Sequence, residues 1–286
     1  MQSQTNRALF VGISDYPVQN GWTEIHGADD YKLVLPMLKR SGYKMRNIRA
    51  LLDEKATKAA IVEELKNLEK KSSEGDRIYI HFSCHGQQMA DDNADESDGL
   101  DEAIIPYDAQ YRFSVGKYEG ENHLRDDELE VLLDKIRAKA GVSGNVIVVL
   151  DACHSGTGTR YGEEDEYIRG TTYVFAPEDY IPLEKGDKQF SLRLKKAADL
   201  SPISVFSACL DEETNNEYRT TDGIFYGSLS YVFCKSAAIY SGNISNVDYS
   251  KKLKEELQML MSRRKKKQTP YFESTNEKNI FQIGKK

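Results

Sequence analysis

Two segments restrict the fold of this chain more than any others: Ile78–Gly86 (IYIHFSCHG) and Val146–Gly156 (VIVVLDACHSG). Each is an apolar, β-type run that stops abruptly at a reactive side chain. The first ends at His85 and Gly86, the second at Cys153 within Asp151-Ala152-Cys153-His154-Ser155-Gly156. Apolar runs of this length bounded by glycine and polar residues are expected of buried strands. A thiol and an imidazole at the tips of two such strands are the parts of a cysteine nucleophile with its general base.

Strand-like and helix-like patterns alternate along the rest of the chain. Ala8–Ile13, Asn47–Leu52, Arg77–Ser83, Val146–Asp151 and Ile203–Ala208 read as strands, with a short extended piece at Ala103–Pro106 and an edge strand at Pro270–Glu273. Asp29–Arg40 reads as a helix with Leu33, Met37 and Leu38 on one face. Thr57 is placed to cap a second helix bearing Ile61, Leu65 and Leu68. Asp126 or Asp127 is expected to cap the helix running to Lys139, and Ile224–Tyr240 and Val247–Arg264 read as two more. Such alternation predicts an α/β fold, a mostly parallel sheet with helices on both faces. Ligands then bind beyond the carboxyl ends of the strands, where His85 and Cys153 lie. No repeat or linker divides residues 1–286, so one domain is expected. The stretch from about 157 to 200 exceeds the ~15 residues of an ordinary loop and reads as a functional insertion, a processing loop or a lid.

Composition narrows the partners. The net charge of −7 argues against nucleic acid, and the basic run Arg263–Lys267 suits a solvated helix end. No segment approaches the ~18 apolar residues of a membrane span, and no secretory signal is visible. Cys84, Cys153, Cys209 and Cys234 lack metal-type or disulfide-framework spacing, as expected of a reducing, cytoplasmic setting.

A free thiol titrates at about 8.5 and needs a partner to become nucleophilic. His154 adjoins Cys153 in sequence, and adjacent side chains on extended backbone point to opposite faces. His85, on a different strand, is the better base. Gly86 and the Cys153 N–H are placed to form an oxyanion hole. Ser83 and Asp151 each lie two residues before a catalytic residue, on the same strand face. Asp30 stands near the start of the helix after the first strand.

The pairing of HFSCHG with DACHSG resembles the caspase-like cysteine peptidases, and within them the metacaspases and their bacterial relatives. Weaker similarities at Arg7–Ser14, His26–Asp30, Asp98–Pro106, Arg125–Leu129, Ser207–Glu217 and Gly223–Leu229 extend the resemblance over most of the chain. The animal caspases' Gln-Ala-Cys pattern is absent. The resemblance implies a caspase–hemoglobinase-like sheet and a thiol protease with a His85/Cys153 dyad. It also implies a monomer. Asp30, Ser83 and Asp151 match positions that line an acidic S1 pocket, implying cleavage of peptide or protein substrates after Arg or Lys at P1.

No cofactor is required by this chemistry. Calcium enters as an activator through Asp101, Asp126 and Asp127, which match the family's calcium-linked aspartates. A further ligand position falls at Arg160 or near Glu163 and Glu164. The alternative for the acidic run Asp91–Glu102 is a solvated turn. The insertion carries Arg160, Arg169, Lys185, Lys188, Arg193, Lys195 and Lys196, which makes it a candidate for self-processing at an unassigned bond. Two rival readings are a catalytically idle caspase-like interaction module and a thiol-dependent acyl transferase or amidase.

Overall fold

The computed structural model describes residues 4–93, 98–153, 167–183, 192, 194, 196–210, 213–240, 244–276 and 283. In chain order the elements are β1 (Asn6–Gly12), α1 (Tyr31–Arg40), β2 (Ile48–Leu52), α2 (Lys58–Lys71), β3 (Arg77–Ser83), β4 (Gly86–Ala90), β5 (Leu100–Ile104), β6 (Leu124–Arg125), α3 (Asp126–Ala140), β7 (Asn145–Asp151), β8 (Ile203–Ser207), β9 (Glu217–Arg219), β10 (Phe225–Gly227), α4 (Ser228–Tyr240), α5 (Asn246–Ser262) and β11 (Tyr271–Ser274).

Six strands form the central sheet in the order β11-β8-β7-β3-β1-β2. All pairings are parallel except that of edge strand β11 with β8. The period of two splits each central strand between two cores. Leu9 and Val11 of β1, Ile80 and Phe82 of β3, and Val148 and Leu150 of β7 face Ile61 and Leu65 of α2 and Leu129 and Leu133 of α3. Phe10, Tyr79, Ile147 and Val149 face Val34 and Met37 of α1, Leu229 and Phe233 of α4, and Tyr249 and Leu253 of α5. Burial on both faces explains why these strands read as continuous apolar runs rather than alternating ones. Among the described residues no helix is long and apolar enough to cross a membrane.

Several local expectations change. On α1, Val34 is fully buried with Met37 and Leu38, and Leu33 packs half-buried against the same core. Neither aspartate caps α3: Arg125 is its N-cap residue, and Asp126 and Asp127 open the first turn. There they still complement the helix dipole. Residues 225–227 pair with β9 as β10 instead of starting a helix. Thr57 does cap α2, its hydroxyl accepting the Ala60 N–H. The Gly86–Ala90 segment forms a small antiparallel sheet with β5 and β6, which carries the chain outward from the strand end bearing His85.

Candidate active site

The register of β3 and β7 builds the site. Ser83 pairs with Asp151 at the last rung, so His85 and Cys153, two residues further on, leave the sheet at the same level. Gly86 follows His85 as the buried first residue of β4. Residues 154–166, including His154, Arg160, Glu163 and Glu164, lie outside the described residues.

The His85 ring is buried. It stacks on Trp22 with centroids 4.9 Å apart and tilts against Tyr16 at 5.2 Å. Its Nε2 lies 2.9 Å from the Thr23 carbonyl oxygen, which fixes the proton on Nε2 and leaves the Nδ1 lone pair available. Among the described residues Nδ1 is buried without a hydrogen-bond partner. Burial, reinforced by the Arg169 charge and opposed by the Thr23 carbonyl, pushes the imidazole down to about 4. The ring is therefore neutral at pH 7, the state a general base requires. The Thr23 carbonyl, with the Thr23 hydroxyl farther off at 3.5 Å, thus occupies the place of an orienting third residue.

Cys153 is 2 % exposed. Its Sγ donates to the Glu213 carbonyl oxygen at 3.0 Å and lies 2.9 Å from Cys209 Sγ. Its backbone N–H points the other way and donates to the Arg169 carbonyl oxygen at 2.8 Å.

Asp30, Ser83 and Asp151 come together, and they do so around Arg169. The guanidinium is wholly buried. Its Nη1 donates to Asp30 Oδ2 at 2.8 Å and to the Ser83 hydroxyl oxygen and lies 3.6 Å from Asp151 Oδ2. Nε and Nη2 both donate to Glu217 Oε1, at 2.9 and 2.8 Å. Burial alone would lower the Arg169 pKa, but Asp30, Asp151 and Glu217 outweigh it and raise it. Burial, with the charges of Asp151 and Glu217, holds the Asp30 carboxyl above the usual range despite Arg169 and Ser83.

A second layer fixes these carboxylates. Asp30 Oδ1 accepts the Gly227 N–H at 2.9 Å. Asp151 Oδ2 accepts the N–H and hydroxyl of Ser230, at 2.8 and 2.6 Å, in the first turn of α4, where the helix dipole favours negative charge. Its Oδ1 accepts from the Asn215 amide at 2.8 Å. Gly227 has to be glycine, since an added Cβ would stand 2.1 Å from Asp151 Oδ2. Glu217 also accepts the His26 N–H at 2.7 Å, and its Oε2 lies 2.6 Å from His26 Nδ1. Glu217 is absent from the pocket expected on sequence. Its only signal was its place at the end of the resembling segment Ser207–Glu217. Arg169 was legible as one of seven basic residues in the insertion.

A family-model comparison decides the relationship: the caspase domain model matches residues 5–281. The chain belongs to the caspase-domain family. The domain is 30% identical over 261 residues to metacaspase-1 of Mycosarcoma maydis, covering 79% of this chain and 61% of that protein. It is 30% identical over 270 residues to metacaspase-1B of Aspergillus fumigatus, covering 80% and 61%, and 28% identical over 207 residues to metacaspase-3 of Arabidopsis thaliana, covering 70% and 51%. It therefore spans about half to three fifths of the length of these metacaspases. The crystal structure of a Geobacter sulfurreducens protein superposes with a TM-score of 0.58 at 21% identity, covering 94% of this chain and 93% of that one; this likeness speaks to the fold alone.

In this caspase domain the candidate calcium residues lie on adjoining elements of the small sheet and α3. Asp101 lies on β5 and Asp126 and Asp127 open α3. Among the described residues Asp101 Oδ1 and Asp126 Oδ1 are both buried without a partner, and hard cations take such oxygens. Burial, then Asp101 and Asp127 as neighbours, pushes Asp126 up to about 7. Arg125 pairs with the other oxygen of Asp101, and Asn93 donates to Asp127 at 2.7 Å. Among the described residues no group of three or more His, Cys, Asp and Glu converges on one metal position; Asp95 and Glu96 of the same loop lie outside them.

Proposed function

We propose that this caspase domain is a cysteine endopeptidase that cleaves peptide bonds after Arg or Lys. The observation that carries the reading is the pocket beside Cys153, where three buried carboxylates surround a guanidinium. An unpaired buried carboxylate is costly, so a cavity of this kind selects a cationic side chain and rejects an acidic or apolar one. The planar fork of arginine suits it best.

In the proposed reaction the P1 cation enters between Asp30, Asp151 and Glu217, with the Ser83 hydroxyl as a further acceptor. This fixes the scissile carbonyl against the Cys153 N–H. His85 Nδ1 takes the thiol proton, and Sγ attacks the carbonyl carbon. The oxyanion is held by backbone N–H groups, with that of Gly86 proposed beside that of Cys153. The C–N bond breaks as His85 returns the proton to the leaving amine. Water, deprotonated by the same imidazole, then hydrolyses the thioester. Calcium is proposed as an activator bound by Asp101, Asp126 and Asp127, not as a participant in these steps. We extend the proposal to a monomer working in the cytoplasm, a reducing setting that suits four buried free thiols.

The test uses peptide reporters bearing Arg, Lys or Asp at P1, with and without calcium, on the natural chain and on Cys153→Ala and His85→Ala. Hydrolysis of the Arg and Lys reporters alone, lost in both variants, is expected. Turnover that survives Cys153→Ala would remove the proposed nucleophile. A chain inert toward all reporters would favour an interaction module.

A further inference from the structure

The hairpin that closes the carboxylate pocket carries a second set of side chains beside it. In the pairing of β9 with β10, Gly227 stands opposite Glu217 and Phe225 opposite Arg219. One end of the hairpin serves the pocket, through the Glu217 carboxylate and the Gly227 N–H. At the other end the Arg219 guanidinium lies over the Phe225 ring, 5.4 Å from its centroid, and His26 stacks on Phe225 with centroids 4.9 Å apart and planes inclined by 21°. The imidazole is fixed there by Glu217: the His26 N–H donates to Oε1 at 2.7 Å, and Nδ1 lies 2.6 Å from Oε2. The carboxylate that reads the fork of Arg169 therefore also sets the position of an aromatic shelf next to the pocket.

The backbone geometry shows which side chain of a bound peptide meets that shelf. Tyr167, Ile168 and Arg169 run antiparallel to Asn215–Glu217: the Arg169 N–H donates to Asn215 O at 3.0 Å, the Glu217 N–H donates to Tyr167 O at 2.9 Å, and Ile168 bridges Asn216. On extended backbone, side chains two residues apart share a face, so the residue two before the one in the carboxylate pocket is delivered to the shelf. Tyr167 occupies this position. Its ring meets His26 with centroids 4.5 Å apart at 88° and Phe225 at 4.9 Å and 71°. Both contacts are of the edge-to-face kind that aromatic pairs favour. An alanine there would leave both ring faces uncovered, and a carboxylate would lose the apolar contact altogether.

We propose that His26 and Phe225 form a P3 subsite selective for an aromatic side chain, so that the domain reads an aromatic residue two positions before the basic residue at P1. The inference rests on the peptidase reading above and narrows the substrate class of that same site. A substrate that seats its P1 cation takes the place of residues 167–169 along Asn215–Glu217. The main-chain hydrogen bonds are then the same for any sequence, and discrimination falls to the alternate side chains. P1 is chosen by charge and P3 by ring packing. The two choices are joined at Glu217, since a ring seated on His26 buttresses the imidazole that holds the carboxylate against the P1 fork.

A panel of tripeptide reporters on the full chain tests this, with arginine at P1, isoleucine at P2 and tyrosine, phenylalanine, alanine or glutamate at P3. The expected kcat/KM is roughly tenfold higher for the two aromatic reporters than for the alanine one, with glutamate lowest. Phe225 is half-buried, so Phe225→Ala removes a wall of the shelf without emptying a core position. It should bring the tyrosine-to-alanine ratio close to one while the preference for Arg over Asp at P1 stays. Phe225→Leu keeps apolar bulk without the ring and should give an intermediate ratio. Equal kcat/KM across the panel, or a ratio unmoved in both Phe225 variants, would overturn the subsite and spare the peptidase reading. Hydrolysis of none of the four reporters would overturn both.

Discussion

The Glu217 carboxylate receives two hydrogen bonds from Arg169, from Nε and Nη2, on a single oxygen, while its other oxygen meets His26 at 2.6 Å. Asp30 and Asp151 address Nη1 alone. The pocket therefore divides the guanidinium between a charge-matching pair and a residue that reads the fork.

That division predicts a specificity split. A lysine ammonium offers no Nε–H in the plane of a fork, so Glu217→Gln should cost Arg substrates more than Lys substrates. Loss of charge-assisted hydrogen bonds of about 1.5–3 kcal/mol corresponds to a fall of roughly ten- to a hundredfold in kcat/KM for Arg reporters. The ratio of Arg to Lys turnover is the measurement. An unchanged ratio would mean that Glu217 serves only to hold His26.

The pH profile follows from His85. Its folded pKa is lowered, by burial and by the cation in the pocket. Activity needs the neutral ring, so it is present above that pKa and is lost as pH falls through it. With the pocket vacated, one of the two lowering causes goes, and the pKa moves up from about 4 toward the ordinary 6.5. With Arg169 out of the pocket, the acid limb of kcat/KM, which reports free enzyme, should therefore lie at higher pH than that of kcat, which reports the complex with P1 Arg bound. Coincident limbs would show that the cation does not act on the base.

Ser230 is a positioning residue. Its N–H and hydroxyl both serve Asp151 Oδ2, and the hydroxyl oxygen lies 2.9 Å from His81 Nε2. Ser230→Ala leaves a buried carboxylate short of one donor and should lower stability by about 1–3 kcal/mol. It should raise KM for basic reporters while kcat holds, because Asp151 holds the cation rather than the reacting atoms. A fall in kcat alone would place the effect in the dyad.

For the acidic group near β5, calcium at millimolar concentration should raise both the melting temperature and reporter hydrolysis. Asp126→Asn should abolish both responses while leaving calcium-free hydrolysis in place. Equal responses in the variant and the natural chain would take Asp126 out of the proposed site.

The sheet was legible because burial on both faces writes itself as uninterrupted apolar runs, and the ends of β3 and β7 fell where those runs stop. The period of two then brought Ser83 and Asp151 to one level without knowledge of their register. Other features leave no such trace. Gly86–Ala90 pairs through its backbone and shows no alternation, so β4 was invisible. Phe225–Gly227 is apolar enough to pass for the start of α4. Arg125 caps α3 because the chain enters from β6, which the acidic residues after it conceal. Arg169 and Glu217 are 48 residues apart, and nothing local ties one to the other. Their pairing is a tertiary fact, created where a long insertion turns back across the strand ends.

Because the Thr23 carbonyl at 2.9 Å is the nearer partner of His85 Nε2, with the Thr23 hydroxyl at 3.5 Å, the main partner of His85 is encoded by the path of the main chain. No substitution at residue 23 deletes a peptide oxygen. A saturation scan should therefore find only two catalytic positions where every replacement silences chemistry, His85 and Cys153. Changes at Tyr16 and Trp22, which pack on the His85 ring itself, should instead give graded rates. The strength of the proposed base is thereby set by the packing around it, separately from the identity of the residues proposed to react.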